Sequence, residues 1–401
     1  MIQAADEIIA GKFRDQFITD VIQGGAGTSM NMNMNEVIAN RANEILGGEL
    51  GKYDRCHPND HVNYGQSTND VVPTAGKLTV QLLIKDLLTD LQYLYDTLQA
   101  KGNEFDHVIK MGRTHLQDAV PIRLGQEFRA FSQPVLRDIK RISAAVEELT
   151  YVNMGATAVG TGINADVEYV KNVVRILSEV TGFEFKQSPD LVDGTRNLDS
   201  FVWLSSALKT CAVNLSKTAN DIRLMASGPK AGLAEILLPQ QQPGSSIMPG
   251  KVNPVIPEVL NQVCFQIFGN DITITKAAEA GQLELNVFEP VLFFNLFQSI
   301  EILKNGIITF IENCLKGITA QEENCKYWVD RSVGIITALN PHIGYKNAAE
   351  IAKESIKTGV PVAQIVLQRG LLSKEDLDVI LNPFEMTKPG IPGKALLKKN
   401  K

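Results

Sequence analysis

The sequence predicts a mainly α protein centred on a bundle of five long helices, and three observations lead there. Apolar residues step by three and four through Leu204, Leu208, Cys211, Leu215, Thr218, Ile222 and Met225, then Ile256, Leu260, Val263 and Ile267, then Leu292, Leu296, Ser299, Leu303, Ile307 and Phe310. That period places side chains on one face of a helix. Segments 74–100 and 119–150 carry similar stripes, which completes a bundle of five. After Cys325 the texture changes to shorter runs punctuated at Asn340-Pro341, Gly344, Gly359, Pro361 and Gly370. The expected organisation has three domains: an amino-terminal domain over 1–69, the bundle over 70–325 and a small helical domain over 326–401. The stripes are longer than one core needs, and Thr218 and Ser299 place polar groups inside them, so a second apolar face against another copy of the chain is expected.

Composition narrows the function classes. With 401 residues, 44% of them apolar, the chain can bury a large core. A formal charge of −6 gives no general field for nucleic acid or an anionic membrane, and the basic tail over 394–401 reads as solubilising. Cys56, Cys211, Cys264, Cys314 and Cys325 are odd in number, scattered and without a C-x-x-C pair, which predicts reduced thiols in the cytoplasm. No apolar run reads as long enough to span a bilayer, and no signal peptide is expected. Near the amino end, Gln23-Gly-Gly-Ala-Gly-Thr-Ser29 lacks the G-x-G-x-x-G spacing of a dinucleotide cradle and reads as a loop leading into a helix. Towards the other end, Ser373 and Asp376 have the spacing of a helix-capping box.

Chemistry concentrates in four polar clusters. The richest is Gly244-Ser-Ser-Ile-Met-Pro-Gly-Lys-Val-Asn-Pro254, where glycines and prolines shape a loop that holds two hydroxyls, an ammonium and a carboxamide. Lys251 and Asn253 can hold a carboxylate while a serine moves a proton. It is not a P-loop, because Val252 stands where the Mg²⁺-binding hydroxyl must be. A second cluster, Gly27-Thr28-Ser29, offers a hydroxyl and helix-start N–H groups to an anion. In a third, Ser67-Thr68-Asn69 offers two hydroxyls and an amide. The fourth, Gly112-Arg-Thr-His-Leu-Gln-Asp118, surrounds His115 with polar neighbours ahead of an expected helix. Glu258 is a candidate carboxylate partner for His115. Each cluster also has a plain reading: an inter-helix turn for the first, helix caps for the second and third, and a structural histidine for the fourth. Cys56, His57, Asp60 and His61 suggest a metal site only superficially, since Pro58 is expected to break the helix that would join the histidines. No metal is predicted.

The four clusters, at Gly27-Thr28-Ser29, Gln66-Ser-Thr-Asn-Asp70, Gly112–Asp118 and Gly244–Pro254, stand in the order used by the aspartase/fumarase superfamily, which the chain resembles over nearly its whole length, and Ala280-Gly-Gln-Leu-Glu-Leu-Asn-Val287 adds to the likeness. The wording is nearest the Bacillus-type aspartase branch. The resemblance implies elimination of ammonia from L-aspartate to give fumarate, without an organic cofactor. Ser245 becomes the catalytic base on a mobile loop, its hydroxyl made acidic by Lys251 and by loop closure, with Lys251 and Asn253 on the α-carboxylate. Thr28, Ser67, Thr68 and Ser246 hold the β-carboxylate, Asn69 and His115 face the amino group, and Thr114 adds a bond to the α-carboxylate. It also implies a homotetramer with active sites shared between subunits, and a second dicarboxylate site at His57, Asn59 and Asp60. Relative to the family, roughly seventy residues are expected to be lacking before Met1, part of a domain of ordinary size. Two rival readings stay open: a class II fumarase, with water as leaving group, and a catalytically silent structural or binding paralogue.

Overall fold

The computed structural model describes residues 1–398, so the last three residues of the basic tail lie outside it. The elements run α1 (Ile2–Ile9), α2 (Thr28–Ile45), α3 (Thr68–Glu104), β1 (Ile109–Thr114), β2 (Gln117–Arg123), α4 (Leu124–Glu148), β3 (Tyr151–Val152), α5 (Val167–Thr181), β4 (Lys186–Gln187), α6 (Leu191–Arg196) and α7 (Asp199–Met225). There follow β5 (Ile236–Leu237), α8 (Val255–Glu279), α9 (Glu289–Asn313), β6 (Thr319–Ala320) and α10 (Glu322–Arg331), then short helices through Lys374–Ile380. The chain forms two compact units. Unit one holds Met1–Leu91, Arg137–Leu215 and Gln262–Gly306; unit two holds Gln92–Leu136, Ser216–Asn261 and Ile307–Lys401. The five long helices are α3, α4, α7, α8 and α9, as the stripes predict.

In unit one, Leu204, Leu208, Cys211 and Leu215 of α7 and Leu292, Leu296, Ser299 and Leu303 of α9 are all buried. Ser299 is satisfied within the chain, where it accepts from Asn270 Nδ2 at 2.9 Å, so its place in the seam needs no second copy. The start of α3 lies six residues ahead of the expected 74. Ser67 Oγ accepts from the Asn69 N–H at 3.2 Å while Asp70 Oδ1 accepts from the Ser67 N–H at 3.0 Å, a reciprocal cap that satisfies two open donors. Pro73 cannot donate to the Asn69 carbonyl four residues back, and Asn153 Nδ2 does so instead at 3.0 Å. A cap and a replacement donor thus let the helix run through a proline.

Unit two departs from expectation at the fourth cluster. Residues 117–123 are a strand, paired antiparallel with β1 from Ile109↔Arg123 to Thr114↔Gln117. The helix expected from 119 begins only at Leu124, because Pro121 in a helix interior would lack a donor, whereas in β2 it sits opposite Met111. In unit two the predicted seams hold, with Ile222 and Met225 of α7 and Ile307 and Phe310 of α9 buried. A separate apolar cluster joins Met111 to Val329, Leu339, Ile351, Ile365 and Ile380. The Ser373 cap forms as read, its Oγ accepting from the Asp376 N–H at 3.1 Å.

Two further expectations need correction. Pro58 opens a helical turn over Pro58–Val62 instead of breaking one, a position where its missing N–H is not needed. His57 and His61 therefore meet, with the His57 N–H donating to His61 Nδ1 at 2.8 Å. Among the described residues no group of three or more potential metal ligands gathers. The segment Glu289–Gly317 is long and apolar enough by length and composition to cross a membrane, contrary to the sequence reading, although many of its large side chains pack inside the chain. None of the five cysteines is in a disulfide, and all are buried.

Candidate active site

The predicted site residues fall in two sets, one in each unit. In unit one the set is built on the starts of two helices. Thr28 is the first residue of α2, and its hydroxyl donates to the Gly25 carbonyl at 2.7 Å, which leaves the open N–H groups of the helix start to an anion and frees the hydroxyl proton for one only if that bond is exchanged. Gly27, at φ +86°, caps this helix, and a Cβ there would stand 3.2 Å from Val72 of α3, so glycine permits the close approach of the two helix starts. Asn31 Nδ2 donates to Thr68 Oγ1 at 3.1 Å and ties them together. Thr28, Ser67, Thr68 and Asn69 are thereby gathered in one region.

Within this set the hydroxyls are already in use. Ser67 caps α3 and Thr68 accepts from Asn31, so both oxygens serve as acceptors within the chain and each hydroxyl keeps its proton to donate. Asn69 commits its amide nitrogen to the Ala158 carbonyl at 2.7 Å, which keeps Oδ1 as an acceptor suited to an ammonium group. Asp70 is the residue the sequence reading passed over. Fully buried, it accepts from the backbone N–H of Ser67 and, at 3.0 Å, of Thr157, joining the Ser67–Asn69 turn to a distant loop. Burial pushes its carboxyl above the usual carboxylate range, while the backbone N–H groups of Ser67, Thr157 and Gly155 oppose that rise. Its position three after Ser67, the capping-box spacing, is the signal that identifies it.

In unit two, Thr114 and His115 stand exposed at the tip of the β1–β2 hairpin. The loop Gly244–Pro254 links β5 to α8. Its neck is the Ser245 N–H donating to the Lys251 carbonyl at 3.1 Å, and within it the Lys251 N–H donates to the Met248 carbonyl at 3.2 Å. Gly244 has φ +95°, and a Cβ there would lie 2.4 Å from the Lys251 carbonyl oxygen. Only glycine closes this neck. Ser245 Oγ accepts from the backbone N–H of Met248 at 3.2 Å and of Ile247 at 3.4 Å. Donors aimed at a hydroxyl oxygen favour its ionised form, so the loop's own backbone supports a serine acting as base. The meeting of Ser245 and Lys251 seen here is through the lysine's main chain, not its ammonium. Ser246 and Lys251 are exposed, and Asn253, half-buried, leads into α8. Glu258 lies in the first turn of that helix, 3.7 Å from the Arg223 guanidinium.

The set in unit one can hold carboxylates on hydroxyls and helix-start N–H groups, and the loop in unit two can take a proton on a serine. The family described as Lyase matches residues 1–269, and that described as Fumarase C C-terminus matches 335–388. The chain belongs to this lyase family. An aspartate ammonia-lyase of Bacillus subtilis (strain 168) is 60% identical over 399 residues, which are 100% of this chain and 84% of the relative. One from Escherichia coli (strain K12) is 49% identical over 98% of this chain and 83% of its own length. A fumarate lyase:delta crystallin from Brucella melitensis superposes with a TM-score of 0.94 at 49% identity, covering 97% of this chain and 84% of that one. A class II fumarase from Schistosoma mansoni, 36% identical, gives 0.90 with the same two coverages. The expected lack of about seventy amino-terminal residues, part of one domain, is not borne out by the Bacillus subtilis match, which covers 100% of this chain.

Proposed function

We propose that this lyase converts L-aspartate to fumarate and ammonia, reversibly and without an organic cofactor. Ser245 takes the proton from the carbon next to the β-carboxylate. The electron pair of that C–H bond moves into the carboxylate to give a doubly charged aci-carboxylate, and its return forms the C=C bond as the C–N bond breaks and ammonia leaves. Thr28, Ser67, Thr68 and Ser246 stabilise the aci-carboxylate, which is where charge develops and where donors contribute most to rate. Lys251, Asn253 and Thr114 hold the α-carboxylate, Asn69 and His115 face the amino group, and Glu258 orients His115.

One observation carries the proton abstraction: the Ser245 oxygen accepts two backbone N–H groups in a loop closed at Gly244. Ammonia as the leaving group is supported by the higher identity to aspartate ammonia-lyases than to the class II fumarase, and by the free acceptor of Asn69. A homotetramer with active sites shared between subunits is supported by exposed apolar side chains on long helices: Leu82, Trp203, Val213, Phe265 and Ile272. Five cysteines held as buried thiols support a cytoplasmic setting. The test is a steady-state assay with L-aspartate and, separately, L-malate. Fumarate from aspartate supports the proposal, and turnover of malate alone would replace it with the hydratase reading.

A further inference from the structure

Thr114 and His115 are displayed by a turn that their own residue types disfavour. His115 (φ 56°) and Leu116 (φ 61°) both lie in the left-handed region, as a two-residue hairpin turn requires and as bulky side chains resist. Such turns persist where the surroundings over-determine them. Packing on one side does not do so here, because Leu116 borders a cavity of about 330 Å³ together with Lys110, Arg113, Glu127 and Glu235. Beside the packing of Met111, charge grips β1 next to the turn. Glu235 is fully buried, and its carboxylate takes Arg113 on one oxygen at 2.5 Å and Lys110 on the other at 2.8 Å, both cations belonging to β1. Lys110 also donates to both oxygens of Glu127 on α4, at 3.0 and 2.9 Å.

Glu235 is itself immobilised. Its N–H donates to the Met225 carbonyl at the end of α7, and its carbonyl accepts from the Gln321 N–H just ahead of α10, both at 2.9 Å. Desolvation works against the Lys110 ammonium, but Glu127 and Glu235 outweigh it and leave its pKa raised, so the cluster holds two cations against two carboxylates. Burying the charges of Lys110 and Glu235 is costly unless their geometry serves something, and no step of the proposed reaction uses them. The segment that Glu235 opens runs through β5 into the serine loop.

We propose that Glu235 is a positioning residue: fixed between α7 and α10, its two oxygens seat β1 so that Thr114 and His115 stand where substrate is met. The inference rests on the proposed lyase reading for its kinetic consequence only. Its test is Glu235→Gln, which keeps the volume and removes the charge, assayed on L-aspartate and by imidazole NMR, with the His115 signals assigned through His115→Asn. The expected result is a kcat lower by about ten- to hundredfold with KM changed less than about threefold, the scale of a small misplacement of a reacting group. The His115 signals should move while those of His57, His61 and His342 stay. His115 signals that stay in place overturn the inference, whether or not kcat falls. If Glu235→Gln does not fold, Arg113→Lys carries the same two readouts, and unmoved His115 signals there overturn it equally. A wild-type protein inert towards aspartate would refute the reaction reading, and the NMR result would still decide the positioning.

Discussion

On the proposed reaction, Ser245 and the residues that hold its loop set the chemistry at the finest scale. A serine is a poor base, and two backbone N–H groups on its oxygen are the feature that makes the role physical. They exist because Gly244 lets the chain close on the Lys251 carbonyl. Gly244→Ala would push a methyl into that carbonyl at a φ of +95°, so kcat should fall by about tenfold or more, as expected when a reacting group is misplaced. The melting temperature should hardly change, because the loop is exposed; calorimetry beside the aspartate assay checks both halves. Lys251→Ala should raise KM, since the lysine is assigned to the α-carboxylate of the bound substrate, and lower kcat as well, since a substrate without that anchor is misplaced before Ser245. A variant with unchanged KM would move that carboxylate elsewhere. These residues were legible in the sequence because glycines, hydroxyls and a lysine crowd together there. Asp70 and Glu235 were not, because an aspartate in a capping box and a lone glutamate before a short strand look ordinary until their burial is seen.

At the scale of elements, the apolar stripes marked all five long helices, since a period of three and four survives whatever the helix packs against. Their ends were less legible. The stripe begins at 74, whereas α3 begins at Thr68, because Asn153, far along the chain, supplies the donor that Pro73 lacks. The β1–β2 hairpin was hidden for a related reason: His115 and Leu116 are not turn formers, and the contacts that force them to be one come from Glu235. Pro58 misled in the opposite direction, by starting a turn that brings His57 to His61. Helix α9 adds a titratable feature that no spacing reveals. Glu289, at its first position, is buried, which pushes its carboxyl up to about 8 despite the opposing pull of Lys77. Burial lowers the Lys77 ammonium to about 8 against the carboxylates around it, and Lys77 donates to the Tyr151 carbonyl. With its folded pKa raised, Glu289 stabilises most below its unfolded value, and that contribution is lost as pH rises from 4.5 towards 8. Glu289→Gln should therefore gain in melting temperature relative to wild type between pH 5 and pH 8. Parallel melting curves across that window would contradict this account of the carboxyl.

For the whole molecule, assembly is the open question with the largest consequence. Exposed Leu82, Trp203, Val213, Phe265 and Ile272 give long helices apolar faces that water covers poorly. If active sites are shared between subunits, two inactive variants, Ser245→Ala and Thr68→Ala, should recover activity when dissociated, mixed and reassembled. Recovery no greater than either variant alone would place each site within one chain. The family follows from similarity along the whole chain, while the identity of the base does not, which makes the serine the point on which the chemistry stands. The most direct measurement is fumarate formation from saturating L-aspartate by wild type and by Ser245→Ala, followed as ultraviolet absorbance on proteins matched by circular dichroism. The wild type should turn over steadily and the variant should lose on the order of a thousandfold in kcat, the scale of a missing general base. A folded Ser245→Ala protein that keeps activity comparable to wild type would contradict the assignment.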